Sequence, residues 1–415
     1  MDRIVERDVE EKIKKWIDEK EVLAIVGPRQ SGKTTLLLKI KNLLEKRGII
    51  KEKIHFISFE DDFEKDKFEK DVKEYINYHV GDDKTKHFFL LDEIQYVEEA
   101  GKLLKLIYDT YPNVKIFITG SSSLDIRGVG SALVGRIIFF ELYPFSFAEF
   151  LKAKDEKIFL YYKKYLLSLN SLKIKKQELI FLDKLNNYLK EYITYGGYPR
   201  VVLEKNIEKK KELLKNLYLT YIEKDIVKIY GSEYKRRIFD LVKYLASVNG
   251  SILNYNDICS FTNLYYKELK DLFRILEDSY IIQLIRPFHK NLVSELRKNP
   301  KVYFIETGLR NFIVNRFSFS EDEFGILFEN YILNLFRGEN ITYWRTTAKA
   351  EVDFILVDSL VPLEVKTNVK FTRSLRSFIK TYKPKKGIIF NFNDFYKKKI
   401  NNTVVFVVPA SLYRT

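Results

Sequence analysis

The fold is decided by residues 27–34, which read Gly27-Pro28-Arg29-Gln30-Ser31-Gly32-Lys33-Thr34. This stretch matches the pattern G-x-x-x-x-G-K-[ST], in which a glycine-rich loop joins a strand to a helix. The backbone N–H groups of such a loop point inward, and the helix dipole adds positive charge, so the loop binds phosphate. The pattern therefore predicts a nucleotide site whose residues are Gly27, Pro28, Arg29, Gln30, Ser31, Gly32, Lys33, Thr34 and Thr35.

The residues on either side of this loop fit the prediction. Val22–Val26 is an apolar run typical of a buried strand, and Thr34–Lys46 has the character of a helix that ends near Gly48. In that setting Lys33 supplies positive charge to the β- and γ-phosphates, and the Thr34 hydroxyl coordinates magnesium. The expected cofactors are ATP and Mg²⁺.

A second chemical signal follows the apolar run 88–91, where Asp92 and Glu93 stand together. An aspartate at the end of such a strand holds magnesium through water in nucleotide hydrolases, so Asp92 is the second predicted magnesium residue. Glu93 is the predicted general base that orients and deprotonates the attacking water. The alternative is that Asp92 and Glu93 are a solvated acidic pair that only caps the strand and does not act with the loop at residues 27–34.

Further residues are predicted to act on the transferred phosphate, alongside Lys33 and Glu93. Thr119 and Ser121 follow the fourth predicted strand, where a polar side chain can contact the γ-phosphate or the attacking water. Arg136 would stabilise the transferred charge in its own subunit or in a neighbour's, as an arginine finger does. The alternative for Arg136 is an ordinary surface arginine of a basic protein.

The chain divides into three predicted domains, 1–145, 146–310 and 311–415. Strands alternate with helices in the first, which predicts an α/β domain with a parallel sheet covered on both faces. The second is helical and lysine-rich, and its last part, three helices and an extended run at 280–286, has the order of a winged helix. The third is a small α/β domain. DNA contacts are predicted on the third of those helices, at Tyr265, Tyr266, Lys267 and Lys270.

Two predicted strands near the C-terminus carry a possible second site. Asp353 lies on one strand, and Glu364 and Lys366, two residues apart on the next, share one face. Carboxylates so placed can hold magnesium, which acidifies water, while a lysine positions the nucleophile. This D…E-x-K arrangement resembles the PD-(D/E)xK nucleases, and Glu329 matches the extra acidic ligand that many of them carry. Arg345 would hold a phosphate. The alternative is a nuclease-like fold that cuts nothing.

The overall composition narrows the classes of function. A single cysteine, Cys259, excludes an intramolecular disulfide, and four histidines far apart in sequence offer few zinc ligands, so metals are expected on oxygen ligands. No apolar run is long enough to span a bilayer, and the charged N-terminus is not a signal peptide, so a cytoplasmic protein with no membrane partner is expected. The net charge of +15 favours a nucleic-acid partner, although lysine-rich surfaces also occur in heat-adapted proteins.

Together these stretches resemble the AAA-type ATPases of the ASCE class. More closely they are similar to an archaeal and bacterial ATPase family whose members carry a C-terminal domain of unknown function resembling a restriction endonuclease. One departure is Glu306, where that family's pattern leads us to expect an aspartate. The resemblance spans nearly the whole chain, at Gly27–Thr35, Leu90–Gln95, Thr119–Ser123, Leu133–Arg136, Tyr143–Phe150, Tyr195–Pro199, Lys224–Ile226 and Lys301–Leu309.

Two hypotheses of function follow. In the first, magnesium-dependent ATP hydrolysis is coupled to DNA binding and to cleavage or remodelling of DNA. In the second, the protein is a nucleotide-switched regulatory ATPase that binds protein partners, and its nuclease-like domain is inactive. A homo-oligomer is compatible with both hypotheses.

Overall fold

The computed structural model describes residues 5–120, 123–172, 180–227, 230–288 and 298–414, with the backbone alone at 123–127, 224 and 225. Five parallel strands form the N-terminal sheet in the order β2-β3-β4-β1-β5. Every residue of β1, β3 and β4 is buried, as expected for central strands with helices on both faces. The strands are β1 (Val22–Val26), β2 (Ile54–Ser58), β3 (His87–Asp92), β4 (Val114–Gly120) and β5 (Ile137–Glu141).

The helices of this domain are α1 (Glu10–Lys14), α2 (Lys33–Lys46), α3 (Asp62–Lys70), α4 (Val72–Val80), α5 (Ala100–Thr110) and α6 (Ser123–Ala132). The sequence predicts helices over residues 8–20 and 64–79, and both predictions were wrong in extent. The helix predicted over residues 8–20 is only α1, and the helix predicted over 64–79 is interrupted at Asp71. The Asp71 side chain accepts hydrogen bonds from Lys73 N and Glu74 N, so it caps a new helix there.

The middle of the chain is helical, as predicted. The stretch Ser146-Phe147-Ala148-Glu149 predicts a capping box, and Ser146 and Glu149 form it at the start of α7. Three consecutive helices, α12 to α14, precede the antiparallel pair β6 and β7. The elements are α7 (Phe147–Lys154), α8 (Glu156–Lys164), α9 (Leu182–Tyr195), α10 (Pro199–Leu203), α11 (Ile207–Thr220), α12 (Lys235–Ser247), α13 (Tyr255–Thr262), α14 (Tyr266–Asp278), β6 (Ile282–Ile285) and β7 (Lys301–Phe304).

The C-terminal part holds a six-stranded mixed sheet in the order β12-β13-β11-β10-β9-β8. The residues Lys397–Lys399 indicate a solvated basic cluster, and β12, to which they belong, was not predicted. It is an exposed edge strand, where lysines discourage pairing with other chains. The elements are α15 (Thr307–Ile313), α16 (Glu321–Leu335), β8 (Ile341–Arg345), β9 (Glu351–Leu356), β10 (Val361–Val365), α17 (Arg373–Tyr382), β11 (Lys386–Asn391), β12 (Tyr396–Ile400) and β13 (Thr403–Pro409).

The hydrophobic cores connect parts of the chain that are distant in sequence. Helices α7, α8 and α9 share one core with α16 and the C-terminal sheet. Helices α11 to α14 share another with β6 and β7. The Glu306 carboxylate holds the turn between α9 and α10 by accepting a hydrogen bond from Gly197 N at 2.6 Å, and it also accepts one from Gly308 N at 3.2 Å. Gly196 is required in this turn because a Cβ there would lie 1.8 Å from Glu306 Oε2.

Three of the four histidines are neighbours in space, which their wide separation in sequence did not predict. His55 Nε2 lies 3.1 Å from His87 Nδ1, and the His55 and His79 ring centroids are 4.8 Å apart. Burial lowers the pKa of His55 to about 4, so its ring is neutral at pH 7.

Among the described helices, none combines the length and apolar character needed to cross a bilayer.

Candidate functional site

The loop at residues 27–34 connects β1 to α2 at the carboxyl edge of the N-terminal sheet. Gly27 has a φ of +153°, and a Cβ at this position would lie 2.2 Å from Leu142 O, so only glycine fits. Gly32 has a φ of +99° and immediately precedes α2. The turn therefore needs glycine at both positions, and the loop lies at the positive end of the α2 dipole.

Lys33 is buried at the first position of α2. Its Nζ donates hydrogen bonds to Gly27 O and Pro28 O, both at 3.0 Å, and so lies across the loop. The hydroxyl oxygen of Ser31 is also buried and has no hydrogen-bond partner within the described part of the chain. A buried cation and a buried hydroxyl next to the N-terminal end of a helix suit a phosphate group.

Asp92, at the end of β3, accepts two hydroxyl hydrogen bonds below the loop. Thr34 Oγ1 donates to Asp92 Oδ2 at 2.8 Å, and Thr119 Oγ1 donates to Asp92 Oδ1 at 2.5 Å. Burial raises the pKa of Asp92, the negative charge of Glu93 adds to the rise, and the two hydroxyl hydrogen bonds oppose it. Residues predicted from three separate sequence stretches thus meet at one carboxylate.

Glu93 follows Asp92 in a left-handed conformation with a φ of +56°. Its backbone N–H donates to Thr119 Oγ1 at 2.9 Å, which ties the turn after β3 to the end of β4. Its carboxylate accepts a hydrogen bond from the Gln95 side chain. The left-handed turn directs the Glu93 side chain differently from that of Asp92, so the two adjacent acids have different partners.

The remaining predicted residues of this site have different positions. Thr35 is exposed on α2, Gln30 is exposed with a φ of +56°, and Ser121 lies outside the described residues. Arg136 is not at this site. Its backbone oxygen accepts from Val22 N, at the start of β1, roughly 13 Å of strand away from the loop. Its side chain pairs with Asp109 at 3.1 Å.

Arg7 also contacts the loop, and it was not among the predicted site residues. The Arg7 guanidinium is 7% exposed. It donates to Ser31 O at 2.7 Å and Tyr143 O at 2.5 Å, and it forms an ion pair with Glu149 at 3.0 Å. The capping-box pattern identified Glu149 as a helix-start residue, but no local signal connects it to an arginine 142 positions earlier.

A second group of charged residues lies on β9 and β10 of the C-terminal sheet. The register of these strands places Glu364 opposite Asp353. Lys366 Nζ lies between the two carboxylates, 3.1 Å from Asp353 Oδ2 and 2.7 Å from Glu364 Oε2. Thr372 Oγ1 donates to Glu364 Oε1 at 3.1 Å. The three residues predicted to form this site, Asp353, Glu364 and Lys366, are therefore close together in the structure.

The electrostatics of this triad are those of a buried ionic cluster. Burial raises the pKa of Glu364 to about 7, and the charge of Asp353 adds to the rise. Burial opposes the charged form of Lys366, but attraction to Asp353 and Glu364 outweighs it, so the pKa of Lys366 is raised. The lysine compensates for two carboxylates that would otherwise repel each other across the strands.

Glu329, on α16, is held by β7 rather than by the triad. Lys301 Nζ lies 3.3 Å from Glu329 Oε1 and 2.6 Å from Glu351 Oε1, and the Tyr303 hydroxyl also donates to Glu329. Arg345 lies 3.6 Å from Glu351 and is partly exposed. Across the described residues, no three histidine, cysteine or acidic side chains are grouped closely enough to hold a metal ion.

Comparison with protein families divides the chain into three matched segments. Residues 19–151 match an AAA domain, residues 186–320 a domain of unknown function (DUF8612) and residues 324–413 a domain of unknown function (DUF4143). The first match and the five-stranded parallel sheet support an AAA-type, P-loop ATPase domain at the N-terminus. A helical region and a C-terminal mixed-sheet domain follow it, as predicted. The nuclease-like character of that last domain stays a prediction.

Similar proteins extend across most of the chain. An uncharacterized protein of Haemophilus influenzae is 26% identical over 346 residues, which cover 80% of this chain and 79% of that protein. An uncharacterized protein of Methanocaldococcus jannaschii is 29% identical over 365 residues, covering 85% and 75%. The solved structure of a Walker-type ATPase of Pyrococcus abyssi is 14% identical with a TM-score of 0.47, covering 75% of this chain and 96% of that one.

Proposed function

We propose that this protein binds ATP with magnesium at residues 27–34 and hydrolyses it. The observation that carries the proposal is the network below the loop, in which Thr34 and Thr119 both donate to Asp92. A phosphate loop alone binds nucleotides. A strand-end carboxylate bonded to the hydroxyl of the loop's last residue adds the part that hydrolases use for a metal ion.

The residues present fit a magnesium ion. Magnesium prefers oxygen ligands and is usually held by one or two protein groups, with waters and substrate phosphates completing its shell. Thr34 would coordinate it directly and Asp92 through water, because their oxygens already lie 2.8 Å apart. When bound, the ion neutralises charge on the β- and γ-phosphates.

The chain's own residues would perform the remaining steps. Lys33 would exchange its hydrogen bonds with Gly27 O and Pro28 O for the phosphate oxygens. Glu93 would accept a proton from the attacking water, and Gln95 would hold the Glu93 carboxylate in place. Thr119 would orient both acids through Asp92 Oδ1 and the Glu93 amide.

The test of this proposal is ATP binding and turnover in the wild type and in Lys33→Ala. We expect the variant to lose binding or hydrolysis, because it lacks the buried ammonium group that lies between Gly27 O and Pro28 O. Unaltered turnover in Lys33→Ala would reject the assigned site. Lys39→Ala, on the same helix but bonded to Val5 O and Glu10, is a matched control that should retain turnover.

We further propose that the ATPase acts together with DNA, and that the triad of Asp353, Glu364 and Lys366 cleaves it. The specific observation is the position of Lys366 Nζ within 3.1 Å of both carboxylates. The two carboxylates would hold magnesium, which supplies acidified water and charge stabilisation at the phosphate. Lys366 would then position the nucleophile. Glu329 would contribute only after exchanging its partner Lys301.

The double variant Asp353→Asn with Glu364→Gln tests the cleavage proposal. We expect it to lose magnesium-dependent nicking of DNA and to retain the ATPase activity, because the two sites share no residue. Nicking that persists would exclude the triad as the catalyst. If the wild type leaves DNA intact under all conditions, the regulatory alternative with an inactive nuclease-like domain is favoured.

The partner class is tested separately. In our proposal α12 to α14, β6 and β7 form a DNA-binding winged helix, and the ATPase rate rises with single-stranded, duplex or branched DNA. Tyr265 and Tyr266 are 76% and 52% exposed on this unit and are available for contact. DNA affinity that falls with salt supports the proposal. Tight binding to a protein, with no DNA affinity, favours the regulatory ATPase.

A further inference from the structure

We infer that Arg7 is a positioning residue of the nucleotide site: it fixes the peptide between Ser31 and Gly32 so that the Gly32 N–H faces the phosphate. This inference rests on the proposed binding of ATP by residues 27–34. Arg7 lies 20 positions before the loop motif, outside the matched AAA segment that begins at residue 19. It is nevertheless in direct contact with the loop.

The planarity of the peptide bond determines where the Gly32 N–H points. Arg7 Nη1 donates a 2.7 Å hydrogen bond to Ser31 O, so the Ser31 carbonyl points toward the buried guanidinium. In a trans peptide the carbonyl and the following N–H point in opposite directions. The Gly32 N–H therefore points away from Arg7, to the open side of the loop. Gly32 at φ +99° has access to a second backbone orientation, so the loop needs this external restraint.

An arginine is suited to this task because three acceptors surround its guanidinium. Nη1 donates to Ser31 O, Nη2 to Tyr143 O and Nε to Glu149. The planar fork of arginine reaches acceptors in three directions, whereas a lysine ammonium concentrates its donors on one atom. The ion pair with Glu149 compensates for the burial of the arginine charge.

The other side of this restraint is the start of α7. The Glu149 carboxylate also accepts hydrogen bonds from Asp8 N at 2.7 Å and Ser146 N at 2.8 Å. Arg7 is thus held by two backbone amides through Glu149. The orientation of the Ser31–Gly32 peptide consequently depends on the first turn of α7, whose core is shared with the C-terminal sheet.

The experiment measures the Kd for ATP, with magnesium, and the steady-state KM and kcat in four variants: Arg7→Ala, Arg7→Lys, Glu149→Gln and Arg310→Ala. We expect Arg7→Ala to raise the Kd about tenfold or more, the scale of one lost charge-assisted hydrogen bond. Arg7→Lys should recover only part of this loss, and Glu149→Gln should produce a smaller rise. Arg310, a buried arginine bonded to Ala246 O, is the control for general destabilisation. Arg310→Ala should lower the melting temperature and leave the Kd unchanged.

A wild-type Kd in both Arg7 variants, with binding lost in Lys33→Ala, would overturn this inference and leave the proposed function intact. If Arg7→Ala does not fold, Arg7→Lys decides alone, and an unchanged Kd in that variant is contrary to the inference. A wild-type protein that binds no ATP would overturn the proposed function together with this inference.

Discussion

The hydroxyl of Thr34 donates a 2.8 Å hydrogen bond to the carboxylate of Asp92, across 58 positions of sequence. This bond joins α2, the helix that begins at the phosphate loop, to the end of strand β3 in the parallel sheet. Thr119 donates to the other carboxylate oxygen, so both acceptor atoms of Asp92 are engaged by hydroxyl groups. The orientation of this carboxylate is therefore fixed by two side chains of the chain itself.

Replacing Thr34 by alanine should weaken magnesium binding, so that ATP hydrolysis requires a higher magnesium concentration. The variant lacks the hydroxyl proposed to coordinate the ion, and Asp92 loses one donor. We expect the rate at limiting magnesium to fall about tenfold to a hundredfold, as for the loss of a hydrogen bond to a charged group. Thr34→Ser retains the hydroxyl and should retain the rate. A magnesium titration of the ATPase rate would contradict the assignment if wild type and Thr34→Ala coincided.

Replacing Glu93 by glutamine should separate binding from hydrolysis. Glutamine keeps the shape of the side chain but cannot accept the proton of the attacking water. We therefore expect kcat to fall by about 10²–10⁴ while the Kd for ATP stays close to that of the wild type. Glu98→Gln, an exposed acid in the same segment, is the matched control. Single-turnover measurements of phosphate release test this prediction, and undiminished release in Glu93→Gln would assign the base elsewhere.

Glu306 should make the stability of the protein depend on pH. Burial raises its pKa to about 7, although Gly197 N and Gly308 N stabilise the carboxylate. A folded-state pKa above the unfolded value near 4.5 contributes stability that is full below pH 4.5 and is lost as the pH rises through 7. The loss for this buried group is on the order of 3 kcal/mol.

Urea denaturation of the wild type and of Glu306→Gln at pH 5 and pH 8 measures this effect. Glutamine does not titrate, so the wild type should lose more stability than the variant between the two pH values. Equal losses in both proteins would show that Glu306 does not titrate in this range.

Lysines on α14 should contribute to the proposed affinity for DNA. Lys267 and Lys270 lie on the helix that begins beside the exposed Tyr265 and Tyr266. Replacing either lysine by alanine should weaken duplex binding and reduce the slope of log K against log salt by about 1. Lys102→Ala removes a surface lysine of α5 and should leave the slope unchanged. If all three variants had the same salt slope as the wild type, the DNA contacts would lie on another surface.

Much of the fold was predictable because it is encoded locally. Stretches of three to five consecutive apolar residues lie within the buried strands β1, β3 and β4, and the loop motif lies between a strand and a helix as its pattern requires. The capping box at Ser146 was readable from four residues. Strand β12 could not be predicted from local sequence, because an exposed edge strand of lysines lacks the alternation of apolar and polar residues that indicates a strand.

The sequence by itself determined which residues form the phosphate loop, the acidic strand end and the E-x-K pair, because each is a short pattern whose spacing fixes its geometry. The register of β9 and β10 placed Asp353 opposite Glu364. Tertiary structure alone decided which distant groups meet them. It brought Arg7 and Glu149 to the loop, engaged Glu329 with Lys301, grouped three histidines, and placed Arg136 at the far end of β5. These contacts depend on how helices and sheets pack. Packing brings together surfaces that are far apart in sequence, and their order along the chain does not indicate that they are close in space.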